Sequence, residues 1–125
     1  MKKIVWLASV LVIITGYYSC TKDKAQQPLS VICTGVDSAT NTYNLQIKPI
    51  LDGNCGYSGC HSTATASSNV ILDNYADSKA AFQNKDALCT ITQTGGCLPM
   101  PQGSAKLADS LITYVQCWSE RGYPQ

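Results

Sequence analysis

The stretch Cys55-Gly56-Tyr57-Ser58-Gly59-Cys60-His61 places a histidine directly after the second of two cysteines, which are separated by four residues. We call residues 55–61 the motif loop. Gly56 and Gly59 give the backbone between the two thiols the freedom to bring both to one side. His61 is the only histidine in the chain. We therefore expect the rest of the chain to be organised around this loop.

The motif loop is close to the Cys-x-x-Cys-His pattern, which attaches a c-type haem, but it has two more residues between the thiols. In this interpretation the thiols of Cys55 and Cys60 form thioether bonds to one haem c, and His61 is the proximal iron ligand. A Cys55–Cys60 disulfide beside an exposed histidine is the simpler alternative. A zinc site is a weaker one, because a closed zinc site usually takes four protein ligands.

Met100 is the candidate for the second iron ligand. It lies between two prolines in Cys97-Leu98-Pro99-Met100-Pro101-Gln102-Gly103, and the only other methionine is Met1. A methionine in a loop is often only a filler of irregular gaps. Because methionine opposite histidine is typical of c-type cytochromes, we interpret Met100 as the distal ligand.

The first twenty residues have the composition of an export signal. Two lysines precede an apolar run over residues 4–14, which is shorter than the about 20 residues of a membrane-spanning helix. Residues 16–20 resemble a bacterial lipoprotein box, in which Cys20 becomes the lipidated N-terminus, and an uncleaved anchor is the alternative. We expect a lipoprotein-type signal peptide over 1–19, a lipid-anchored tether and N-terminal extension over 20–42, and the domain over 43–125.

The chain has seven cysteines, and in an exported protein this number indicates structural disulfides. With Cys20 assigned to the lipid and two cysteines to the motif loop, the four others are Cys33, Cys89, Cys97 and Cys117. Their pairing is open from the sequence. We prefer Cys89–Cys97, which closes a short loop, and Cys33–Cys117, which ties the start of the domain to its last helix.

Hydrophobic spacing predicts an all-α fold with three helices and long loops. The helices are expected at about residues 49–55, 74–83 and 108–121, with Asp73 as the N-cap of the second. No segment alternates strongly enough to predict a strand. Long loops in a small domain favour a bound group that fills its centre, although disulfides could hold the same loops.

Charge and motifs exclude several classes of function. The formal net charge is +1, and the sequence has no basic stripe of the kind that binds nucleic acid. Paired carboxylates at a useful spacing and a Gly-x-Ser-x-Gly elbow are also absent from the sequence, which argues against a hydrolase.

Residues 43–122 resemble the small cytochrome c domains of exported bacterial proteins, including Bacteroidetes-type lipoproteins. The resemblance rests on residues 47–51, the motif loop, residues 73–76, the Met100-Pro101 pair and residues 107–122. It implies a class I cytochrome c-like helical bundle wrapped around one covalently bound haem, with the helix before the motif packed on the last helix. The four-residue spacer and the four extra cysteines depart from the family.

The resemblance implies a monohaem electron carrier, not an enzyme, at the outer face of a bacterial membrane, facing the periplasm or the cell exterior. Its partner would be a redox protein, and it would need no small-molecule substrate. A haem-free, disulfide-stapled lipoprotein acting as a binding module is the competing class. A haem peroxidase is a further alternative, which requires displacement of Met100.

Overall fold

The computed structural model describes residues 33–94 and 96–125. A π-helical turn over Tyr43–Ile47 continues into helix α1, Lys48–Asn54, and the later helices are α2, Tyr75–Asn84, α3, Ala87–Thr92, and α4, Asp109–Glu120. A 3₁₀ turn occupies Ser67–Asn69. These residues contain no strand, as the sequence predicts.

The expected signal peptide, the expected lipidation site Cys20 and residues 20–32 of the expected tether lie outside the described residues. Within the part that is described, no helix has both the length and the apolar character needed to cross a membrane.

Helix α1 places the first cysteine of the motif loop at its C-terminal end. Pro49 stands within the first turn, where its missing N–H removes no helical hydrogen bond. At the other end, the N–H groups of Cys55 and Gly56 both donate to the carbonyl of Leu51, at 2.7 and 2.8 Å. The helix therefore ends at the motif loop and fixes the position of Cys55.

Trp118 on α4 is the centre of the hydrophobic core. Its ring is fully buried and lies 4.9 to 6.0 Å, between ring centroids, from Tyr43, Phe82 and Tyr123. Its Nε1–H donates to the carbonyl of Pro124 at 2.9 Å, so the indole polar group is satisfied. Aromatic burial of this kind contributes strongly to a small core, and here it joins the π-helical turn, α2 and the C-terminal residues to α4.

The described residues contain two disulfides, Cys33–Cys117 and Cys89–Cys97, and they are the pairs preferred from the sequence. The first joins residues 84 positions apart. Arg121 Nη2 also donates to the carbonyl of Val36 at 2.7 Å. Residues 33–42, assigned from the sequence to the N-terminal extension, are therefore fastened to α4.

Helix α2 begins one residue later than the sequence predicts, so the assignment of Asp73 as its N-cap was wrong. The N-cap is Asn74, whose side chain accepts from the Asp77 N–H at 3.0 Å. Asp73 instead accepts from the N–H and Oγ1 of Thr63, at 2.5 and 2.8 Å. These bonds lower the pKa of the Asp73 carboxyl, the backbone bond most strongly, and they tie the loop after the motif to the start of α2.

Helix α3 was not predicted from the sequence. It has only six residues, and the residues on either side of it, Asp86 and Gln93, have left-handed backbone conformations with φ of 54° and 57°. Ala87 and Ile91 are buried on its inner side. A helix of this length is too short to show a helical repeat of apolar residues, and tertiary packing stabilises it.

Candidate functional site

A cavity of about 590 Å³ lies between the motif loop, α2, α3 and the segment from Leu98 to Leu107. Its volume is within the range of about 300–1,000 Å³ found for ligand and cofactor sites. The motif loop contributes Cys55, Cys60 and His61 to its lining, and Met100 lines it from a different segment. Its apolar lining includes Val70, Leu72, Phe82, Ile91, Leu98 and Leu107. The structure thus brings all four predicted haem-site residues to one cavity.

The two motif cysteines carry free thiols. The Cys55–Cys60 disulfide that the sequence left open is therefore not formed in the described structure. The N–H of His61 donates to the carbonyl of Cys55 at 3.0 Å, which closes the motif loop by its own backbone. Both thiols are left available for covalent chemistry at the cavity.

The two extra residues of the spacer are accommodated by a tight turn. The N–H of Cys60 donates to the carbonyl of Tyr57 at 3.1 Å, which is the hydrogen bond of a β-turn. Gly59, the third residue of this turn, has a φ of 90°, the conformation that a type II turn requires at that position. The Gly59 N–H also donates to Oγ1 of Thr65 at 3.2 Å. The spacer is therefore an ordered turn.

Gly56 has a different role from the backbone freedom expected from the sequence. A Cβ atom at this position would lie 2.8 Å from the carbonyl oxygen of Leu72 and 3.3 Å from Cα of Asp73. Only glycine lets the motif loop pack this closely on the backbone of residues 72–73. Because Leu72 also donates its N–H to the carbonyl of His61 at 2.7 Å, this contact is part of what holds the motif loop.

The imidazole of His61 is oriented by a backbone carbonyl. Its Nδ1 lies 3.2 Å from the carbonyl oxygen of Val70. Because a carbonyl oxygen only accepts, Nδ1 carries the hydrogen and donates it, and in the neutral tautomer with hydrogen on Nδ1 the lone pair lies on Nε2. A metal-binding histidine usually makes a hydrogen bond of this type, since the bond fixes both the tautomer and the orientation of the ring. The sequence could not indicate this role of Val70, because the contact is made by its main-chain carbonyl.

The environment of Cys55 disfavours a thiolate metal site. Burial, with a smaller contribution from nearby Cys60, raises the pKa of the Cys55 thiol to about 11. The thiol is therefore protonated at neutral pH, whereas a metal binds the thiolate. Among residues 33–94 and 96–125, no three His, Cys, Asp or Glu side chains group closely enough to hold a metal ion. The zinc alternative thus gains no support.

Met100 is held at the cavity by α3 and the residue after it. Its N–H donates to the carbonyl of Thr90 at 3.1 Å, and its carbonyl accepts from Nε2 of Gln93 at 3.2 Å. The Cys89–Cys97 disulfide joins α3 to the chain three residues before Met100. Sequence reasoning missed Thr90 and Gln93 because it missed α3.

The donors around the cavity define what it can hold. Lys85 is the one lysine, arginine or carboxylate side chain in the lining, and besides the two thiols the possible metal donors are the imidazole of His61 and the thioether of Met100. Two neutral donors suit a metal that arrives with most of its ligands already supplied by a flat organic ring. The two thiols could attach such a ring covalently, and the apolar lining would bury it.

Comparisons of the chain with protein-family models, curated proteins and solved structures found no match. The functional argument therefore rests on the residues of the site.

Proposed function

We propose that this protein is a monohaem c-type cytochrome that exchanges electrons with a redox partner protein. The observation that carries the proposal is the shared cavity, because His61 and Met100 line the same apolar space as the two free thiols. These residues come from segments that are about 40 positions apart in the sequence. Their convergence in one cavity is what a covalently attached haem with two axial ligands requires.

The cavity fits this group in size and chemistry. Its volume of about 590 Å³ and its lining, with a single lysine and no arginine or carboxylate, suit a large apolar ring. Cys55 and Cys60 would hold the haem by thioether bonds, and His61 and Met100 would be the axial ligands. When bound, the haem supplies an iron that can gain or lose one electron.

The residues of the chain would determine how that iron behaves. Val70 keeps Nε2 of His61 free to bind, through the bond at Nδ1. The thioether of Met100 is a soft, neutral donor, which favours the ferrous state and raises the reduction potential. Because His61 and Met100 would both hold the iron, they would leave no place on it for a substrate. Outer-sphere electron transfer is therefore favoured over peroxidase chemistry.

A class I cytochrome c-like fold is part of the proposal. In that family the helix before the motif packs on the last helix. Here the π-helical turn that leads into α1 contacts α4, since the ring of Tyr43 lies 6.0 Å from that of Trp118. The placement of Met100 in a loop beside the cavity also supports this arrangement.

Export and lipid anchoring through Cys20 complete the proposal and place the protein at the outer face of a bacterial membrane. They are supported by the lysines and apolar run of residues 1–20 and by the two disulfides. Disulfides persist in oxidising compartments, to which such a signal directs a protein.

The proposal is tested by producing the full chain in a bacterium that attaches c-type haem. We expect an intact mass that includes one haem and two disulfides, and a low-spin absorption spectrum. A Cys55→Ala/Cys60→Ala variant, as the control, should keep both disulfides and lose the covalent haem. A protein without haem, in which Cys55 and Cys60 can both be alkylated, would contradict the proposal and favour the haem-free binding module, whereas a high-spin ferric spectrum would favour the peroxidase.

Replacement of Met100 by alanine tests the distal ligand. We expect Met100→Ala to convert the low-spin spectrum to a high-spin one, because no other methionine among the described residues can replace the thioether. Lys106→Ala is the control in the same segment, since Lys106 is exposed and does not line the cavity, and it should leave the spectrum unchanged. A low-spin spectrum that survives in Met100→Ala would show that the distal assignment is wrong.

A further inference from the structure

The segment that carries Met100 has little side-chain packing of its own. Leu98 and Pro99 are exposed, and Gln102 and Gly103 on the other side are exposed as well. A segment of this kind is not held in place by burial, since few of its apolar atoms are removed from water. Met100 itself packs on the core as a partly buried side chain, so the hydrogen bonds of its backbone and the nearby disulfide act together with this one contact to fix its thioether.

Both main-chain polar groups of Met100 are bonded to the C-terminal end of α3. Its N–H donates to the carbonyl of Thr90 in the last turn, and its carbonyl accepts from the side-chain amide of Gln93. The nitrogen of that amide is the contacting atom because the carbonyl of Met100 can only accept. Together these two bonds fix the orientation of the Met100 peptide groups relative to α3.

The backbone conformation of Gln93 places its side chain where it can make this bond. It is the C-cap of α3, with a left-handed φ of 57°, and its N–H donates to the carbonyl of Cys89. Cys89 is in turn bonded to Cys97, three residues before Met100. The side-chain amide of Gln93 thus extends from a backbone that is fixed on one side by the helix and on the other by a disulfide-closed loop.

We propose that Gln93 is a positioning residue for the thioether of Met100, an inference that rests on the proposed haem site. Its amide holds the carbonyl of Met100, so that the methionine side chain leaves the backbone towards the cavity. A thioether is a weak ligand, and a weak ligand gains most when the protein holds it near its binding geometry beforehand.

Two substitutions of Gln93 separate positioning from folding. Gln93→Glu keeps the size of the side chain but replaces the donor by a carboxylate, which cannot donate to the Met100 carbonyl. Gln93→Gly also removes the donor, and it favours the left-handed backbone that position 93 adopts. Gln83→Glu is the matched control, because Gln83 is exposed on α2 and has no side-chain hydrogen bond within the described residues.

The test combines two measurements on the full-length protein after its mass has shown the attached haem. Both Gln93 variants should bind added imidazole at the iron about fivefold more tightly, because losing a hydrogen bond weakens the competing Met100 ligand. The amide hydrogen of Met100 should exchange about fivefold faster in the same variants. The Gln83→Glu control should match the wild type in both measurements.

Wild-type imidazole affinity in both Gln93 variants, with haem attached, would overturn the positioning role and leave the proposed function intact. Faster exchange at Met100 without tighter imidazole binding would overturn it too, because the bond would then be only structural. A protein whose mass shows no haem would overturn the proposed function and this inference with it.

Discussion

Removal of the Cys33–Cys117 disulfide, by Cys33→Ala/Cys117→Ala, is expected to lower the free energy of unfolding by about 4.5 kcal/mol. This disulfide joins residues 84 positions apart, so it restricts most of the chain in the unfolded state. Small domains are stable by only about 5–15 kcal/mol in total. We therefore expect the variant to be at the edge of stability at ambient temperature, as measured by denaturation in guanidinium chloride.

The second disulfide is the matched control for this experiment. Cys89 and Cys97 are only 8 positions apart, and the same treatment of loop closure gives about 2.5 kcal/mol for their removal. The two double variants should therefore differ by about 2 kcal/mol in unfolding free energy. Equal losses would show that restriction of the unfolded chain is not what makes Cys33–Cys117 stabilising.

Replacement of His61 by alanine is expected to have the largest effect on the proposed haem site. The chain has no second histidine, so the proximal ligand would be lost while Cys55 and Cys60 still attach the haem. We expect the low-spin spectrum to disappear in His61→Ala and to return when imidazole is added, since imidazole can enter the space that the side chain leaves. The measurement is an imidazole titration followed by absorption.

The fold should tolerate this change. The backbone bonds of His61 to Cys55 and Leu72 do not depend on its side chain, and of the intrachain hydrogen bonds shown for His61 only the one to Val70 is lost. In the haem-free Cys55→Ala/Cys60→Ala background, His61→Ala should therefore lower the free energy of unfolding by no more than about 1.5 kcal/mol. Ser62→Ala is the neighbouring control and should keep the low-spin spectrum. A native spectrum in His61→Ala without imidazole would contradict the proximal assignment.

The sequence predicts the parts of the fold that depend on a long apolar repeat. Helix α4 is recognised from Leu111, Ile112, Val115 and Trp118, because these residues recur at helical spacing over about two turns. The sequence also indicates the residue types of the proposed haem site, since the chain has one histidine and two methionines and the spacing of Cys55, Cys60 and His61 is close to a haem-attachment pattern. The residue types alone were enough to predict that Met100 and the motif loop belong to one site.

The supporting contacts could not be predicted because they are made by the main chain. The carbonyl of Val70 orients His61, and that of Thr90 holds Met100, but any residue at either position would offer the same oxygen. The close approach of Gly56 to Leu72 likewise depends on how two distant segments pack. A one-residue difference separates Asn74 from Asp73 as the N-cap, and both are residue types that cap helices well.

The Cys33–Cys117 disulfide also determines how the protein would respond to mechanical load. A pull on the chain ahead of Cys33 reaches the described part of the protein at this bond, which passes the force directly to α4. The motif loop and the segment that carries Met100 both lie between the two bonded cysteines in sequence, so neither is on the direct covalent path of the force. A domain pulled between a tether ahead of Cys33 and its residues after Cys117 would therefore keep the shape of its cavity under tension.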